Sequence, residues 1–187
     1  ALFFNVGIHP AVRRCHAVVA AVGGMAKFGM DDGYIIGPPR EALAAATAFA
    51  EEVKRRCGLE WQVKKTEVFS WEGVMPVGAQ EGLACAGEVV EGQFAPGFIC
   101  YGVPVGCKEY VADALRQKAE EFARGAQKAV EVVGFRDRQA LWACLRCSIA
   151  HQFDYWLRCC YPKDVQPAAQ YLDDVLWKVL EVAAGQS

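Results

Sequence analysis

The chain has 187 residues, 53% of them apolar and 22% charged, a balance that excludes disorder and leaves room for a real core in one large domain or in part of a longer protein. Its net charge of −2 excludes a chain that is basic overall and grips nucleic acid by charge alone. No apolar run approaches the roughly 18 to 20 residues that span a bilayer, and no basic stretch leads into a signal-type segment, so no membrane partner is expected and the location is read as intracellular, cytoplasm or nucleus.

Residues 1–24 read as a helix with Ala, Val and Ile on one side, Arg13 and Arg14 on another, and Gly23-Gly24 as its stop. Two short β-prone runs follow, MAKFGM and GYIIG, around Asp31-Asp32-Gly33. Asp-Gly between such runs predicts a hairpin. Pro38-Pro39 closes the second run and suits the first turn of a helix over REALAAATAFAEEVKRRC, with Lys54, Arg55 and Arg56 complementing its dipole and Gly58 as its cap. LEWQV and TEVFSW read as strand-like around Lys64-Lys65, residues 71–96 as a loop with short strands at most, and GFICYGVPVG as a strand entering a Gly-Pro turn. From about residue 107 three helical stretches complete the chain, with Tyr161-Pro162 separating the second from the third. The expected fold is α+β: a palm-like small antiparallel sheet with packed helices over 1–106, then an all-helical thumb-like tail over 107–187.

Nine cysteines at irregular spacing favour a reducing compartment with mostly buried free thiols. Cys144, Cys147 and His151 would share one face of a helix running through LWACLRCSIAHQFDYWLRCC, which is read as a packed thiol face with no zinc site. Trp142, Trp156 and Trp177 are expected to anchor the core, Asp173-Asp174 to be exposed, and His16 and His151 to have no catalytic part.

The chemistry centres on Asp31 and Asp32. Adjacent carboxylates on a tight turn resist joint ionisation unless a cation offsets their repulsion. Magnesium does so, being held by one or two carboxylates together with phosphate oxygens and water. Enzymes that transfer nucleotidyl groups hold two such ions, one for the attacking hydroxyl and one for the leaving oxygen. Residues 1–30 carry Arg13, Arg14 and Lys27 but no acid, so any further carboxylate for such a site comes from elsewhere. Read by itself, Asp-Asp-Gly also suits an ordinary turn.

The order of the segments resembles the reverse transcriptase domain of retroelements: an apolar helix with His9-Pro10-Ala11, x-Met30-Asp31-Asp32 in a hairpin, GYIIGPP, a helix, GLEWQVKKTEVFS, then GVPVG and a long helix. The resemblance covers nearly the whole chain. It implies that Asp31 binds catalytic Mg2+ with Asp32 beside it, that Lys65 (or the adjacent Lys64) lies near the incoming phosphates, and that the tail helices hold duplex. The partners would be RNA template, DNA primer and deoxynucleoside triphosphates, and the reaction RNA-directed DNA synthesis. The sequence departs from the family in having Gly29 where an aromatic commonly precedes the acid pair, and in lacking the upstream strand with its own metal-binding Asp. The expectation is therefore a C-terminal palm and thumb portion, with an incomplete two-metal site, that binds magnesium weakly and extends no primer alone.

Arg116, Arg124 and Lys128 are the candidate nucleic-acid contacts, within a basic series that includes Lys118, Arg136, Arg138, Arg146 and Arg158. Charge alone favours solvated faces paired with Glu120, Glu121, Glu131 and Asp137 over nucleic-acid contacts. The rival functional reading is a non-catalytic scaffold derived from a degenerate retroelement. A thiol-metal module is a third.

Overall fold

The computed structural model describes residues 2–29, 32–134 and 136–185, with side chains from residue 6 onward. It is mixed α+β, with small sheets, packed helices and a helical tail. The chain divides into two compact units, Ala1–Val68 with Val74–Cys85, and Phe69–Gly73 with Ala86–Ser187. The 106/107 division expected from the sequence falls inside the second.

In the first unit α1 (Leu2–Ala20) packs on α2 (Pro39–Cys57), and between them in sequence β1 (Met25–Gly29) and β2 (Asp32–Ile36) form an antiparallel hairpin. Helical spacing puts Ile8, Ala11, Cys15 and Val19 on one stripe of α1, and these meet Val53 and Ala45 of α2. The inner face of the hairpin, Ala26, Phe28 and Ile35, closes over Cys15, Val19 and Ala45, and Phe28 stacks on Phe49 with centroids 4.6 Å apart. Helix α2 starts on Pro39 and ends where Gly58, at φ 66°, donates its amide to the Lys54 carbonyl. The left-handed conformation there explains the glycine.

Beyond α2 the expected strand LEWQV is absent. Val63–Lys65 is instead a 3-10 turn, held where the Trp61 Nε1 donates to Thr66 Oγ1 at 2.6 Å and the Thr66 hydroxyl donates to the Gln62 carbonyl at 3.2 Å. Only β3 (Glu67–Val68) of the second expected strand forms, in a two-residue parallel bridge with β4 (Ala84–Cys85). Side-chain bonds of Thr66 compete with the ladder, which β-propensity does not register.

The second unit is built on β5 (Gly87–Val90), β6 (Gln93–Cys100) and β7 (Val103–Gly106), an antiparallel meander. GVPVG is thus the turn and a further strand, not a strand-ending turn. Tyr101 at φ 48° and Gly102 at φ 82° make the reversal, as positive φ at both central residues of a two-residue hairpin requires. Helices α3 (Lys108–Ala129), α4 (Arg138–Cys147), α5 (Asp154–Cys159) and α6 (Pro162–Ala184) follow, with a π-helical turn over Val130–Gly134. The core unites Val111, Leu115, Ala119, Ala123 and Ala126 of α3 with Val165, Ala168, Leu172, Val175 and Val179 of α6, and includes Ala95 of β6 and Tyr110. The alanine stripe of α3 leaves space for the larger side chains of α6 to approach.

The single helix expected across residues 137–160 is broken. Asp137 caps α4 by accepting from the Ala140 amide at 2.9 Å, and after Cys147 the chain passes through a 3-10 turn at Ile149–His151 before α5. The break overturns the packed thiol face: Leu141 and Leu145 point inward while Cys144 and Cys147 are exposed. Of the nine free cysteines only Cys15 is buried, and Cys57 and Cys159 are exposed as well. Burial pushes the Cys15 thiol up to about 11. Brief iodoacetamide treatment at neutral pH followed by peptide mass spectrometry is expected to label Cys57, Cys144, Cys147 and Cys159 and to spare Cys15 until denaturant is added.

The tryptophans also sort differently from expectation. Trp156 is an anchor, 5.3 Å from the Phe122 ring and 5.7 Å from Phe153, with its Nε1 donating to the Gly102 carbonyl at 3.0 Å. Trp142 and Trp177 are 49% and 63% exposed. They sit on the solvent sides of α4 and α6, since the inward stripes are taken by Leu141 and Leu145 and by Leu172, Val175 and Val179. Asp173 and Asp174 are exposed, as read. No helix among the described residues is long and apolar enough to cross a membrane.

Candidate functional site

The β1–β2 register pairs Gly29 with Asp32, Phe28 with Gly33, Lys27 with Tyr34, Ala26 with Ile35 and Met25 with Ile36. Side chains alternate along a strand, and partners across an antiparallel pair share a face. Phe28, Ala26 and Ile35 face the core, so Asp32, Lys27, Tyr34, Met25 and Ile36 belong to the opposite face. Asp32 and Lys27 are exposed there, as are Met25 and Ile36 at 46% and 59%. Asp31 lies outside the described residues.

Asp32 is thus open to solvent at the end of a short hairpin whose other face is pinned by the aromatic stack on Phe49. One such carboxylate is the minimum that magnesium accepts when phosphate and water complete its shell. Among the described residues no group of three His, Cys, Asp or Glu side chains converges to make a protein-only cage.

Lys65 and Lys64 are exposed on the 3-10 turn of the first unit. Among the described residues no hydrogen bond or ion pair joins Lys65 to Asp32. Arg116, Arg124 and Lys128 belong to α3 of the second unit, all exposed. Arg116 is held by Asp113 and by Glu120, the latter at 2.7 Å. Lys118 pairs with Glu121 at 2.6 Å, and Arg158 approaches Asp154 at 3.9 Å. These members of the basic series are therefore partly neutralised by acids one turn away.

The comparisons add no kinship. No known protein family, curated protein or solved structure matches the chain.

A second charged constellation escaped the sequence reading. Glu52, buried at 5% exposure on α2, takes hydrogen bonds from Arg14 Nη1 of α1 at 3.2 Å, from Arg55 Nη2 at 2.5 Å and Nε at 3.2 Å, and from Arg56 Nε. The bonds from Arg55 and Arg56 hold its carboxyl down to about 2, against the burial that would raise it. The Arg55 guanidinium is shifted upward by the same contact. The i+3 and i+4 spacing of Arg55 and Arg56 from Glu52 was visible in the sequence, where both arginines were read as answering the helix dipole. Arg14, 38 positions away, was not.

Proposed function

We propose that the hairpin around Asp31-Asp32 is a divalent-metal element of a reverse transcriptase palm, serving nucleotidyl transfer onto a DNA primer paired with RNA. The single observation that supports this most is the hairpin register, with Asp32 at the tip on the face that the helices leave uncovered. In this reading Asp31 and Asp32 hold Mg2+, which supplies Lewis-acid activation of the primer hydroxyl and charge neutralisation of the triphosphate when bound. The chain's own part is to hold the strand that carries Asp32 against its partner, pinned by Phe28 on Phe49, so that little reorganisation is needed as charge develops. Lys65 offers a cation for the incoming phosphates, and Arg116, Arg124 and Lys128 offer contacts to the duplex.

The test is paramagnetic. Manganese added to the labelled 187-residue chain is expected to broaden amide resonances of residues 27–34 selectively, and Asp31→Asn with Asp32→Asn to remove the effect. Uniform or absent broadening overturns the proposal. In a longer chain supplying the remaining carboxylate, Asp31→Ala is expected to lower primer extension by about three powers of ten or more.

The scaffold reading draws on the exposure of Trp142 and Trp177, which gives the helical unit apolar surface for a protein partner. It anticipates no metal effect at the hairpin.

A further inference from the structure

We infer that Arg14, Arg55 and Arg56, gathered by Glu52, form a binding site for the phosphodiester backbone of a nucleic-acid strand. The inference rests on the nucleic-acid part of the reading above and not on catalysis. Three guanidiniums share one carboxylate, which leaves the group with two net positive charges on a chain of net charge −2. Each guanidinium carries five donors, and Glu52 engages one from Arg14, two from Arg55 and one from Arg56. Most donors therefore remain for an outside acceptor.

The three side chains are 53%, 62% and 44% exposed, while the carboxylate beneath them is 7% exposed. Glu52 acts as a buried post that orients the arginines and cuts the entropy they would lose on binding, because planar guanidiniums already fixed on one side present their free edges outward. Among the described residues no second acid pairs with them. Nearby Arg13 is exposed and Lys54 is occupied by Glu60 at 3.0 Å.

The occupant follows from shape and charge. An open patch drawn from two helices suits an extended strand that offers successive phosphates better than a small anion, which needs enclosure to be held. Its place along the helix is also informative. Phe28 stacks on Phe49, one turn before Glu52, so the patch adjoins the part of α2 that supports the tip of the hairpin.

Fluorescence anisotropy of a labelled single-stranded oligonucleotide with the full chain tests this. Each phosphate neutralised on a single strand contributes about 0.7 to the slope of log affinity against log salt. Triple substitution Arg14→Gln, Arg55→Gln, Arg56→Gln is expected to reduce the slope by about 2, equivalent to losing a roughly 20-fold change in affinity between about 50 and about 200 mM salt. Circular dichroism verifies that the variant is folded. Should it not fold, the wild-type chain gives the answer through its arginine Nε resonances: those of Arg14, Arg55 and Arg56 are expected to shift on adding oligonucleotide. An unchanged slope in the folded variant, shifts confined to other arginines, or no binding at low salt each overturns the inference. So does equal competition by inorganic phosphate at matched ionic strength, which would mark a free-anion site. Manganese broadening at the hairpin is independent of all these readouts, so either proposal can fail alone.

Discussion

Glu52→Gln is expected to lower the melting temperature by several degrees at neutral pH, with the loss fading as the pH is brought down. Among the described residues the carboxylate is the one acid paired with Arg14, Arg55 and Arg56, and its removal leaves three cations together over a buried, neutral amide. Because the guanidiniums are about half exposed, solvent screens part of their repulsion, which limits the cost. The sign of the pH dependence follows from the depressed carboxyl. In the folded chain Glu52 titrates at about 2 against an ordinary 4.5. Its contribution is fully present above the unfolded value, declines as pH falls through the acid range, and is gone below the folded value. Wild type should thus lose stability on acidification faster than the glutamine variant, and the two should converge near pH 2. Thermal melts at closely spaced pH values measure this, and a constant gap down to acid pH would show that the carboxylate's charge is not what stabilises the contact.

Gly97→Ala is the second substitution expected to have a large effect. Gly97 is buried on β6 opposite Gly106 of β7, and a Cβ built on it would fall within 2.6 Å of three ring carbons of Tyr110 at the start of α3. Tyr110 is 5% exposed in the core of the second unit, so moving its ring would disturb the packing around it. Overpacking of this kind costs about 1 to 3 kcal/mol and occasionally more, which in a chain of this size corresponds to a fall in melting temperature of roughly 3 to 10 °C. The double variant Gly97→Ala, Tyr110→Ala should be less destabilised than the sum of the two single changes, since the clash is shared. Strict additivity would mean the ring does not rest on that glycine.

These two sites mark the division between local and tertiary information in this chain. Helices α1, α2, α3 and α6 were legible because each carries an apolar stripe at helical spacing, helped by boundary signals such as Gly58 at the end of α2 and Tyr161-Pro162 at the start of α6. The β1–β2 hairpin was legible from Asp-Gly between two β-prone runs. The break after Cys147 was not, because LWACLRCSIAHQFDYWLRCC keeps its helical periodicity through the residues that turn away. Nor was the 3-10 turn at Val63–Lys65, where the side chains of Trp61 and Thr66 bond to each other. The β6–β7 reversal had its signal in Tyr101-Gly102, a pair less distinctive than the Asp-Gly of the first hairpin.

Asp31-Asp32 stood out as a candidate metal couple by sequence alone, since repulsion between neighbouring carboxylates is a local fact needing no fold to state it. That Asp32 belongs to the uncovered face was decided by the strand register and by Phe28 turning inward to Phe49. The sequence by itself determined the helical stripes, the first hairpin and the acid pair, because these depend on residues within a few positions of one another. Only tertiary structure decided that Arg14 joins Arg55 and Arg56 over Glu52, that Tyr110 occupies the space above Gly97, and that Cys15 alone among the nine thiols is buried. Those outcomes depend on which surfaces of distant segments meet, and periodicity records that a face is apolar without recording what it packs against.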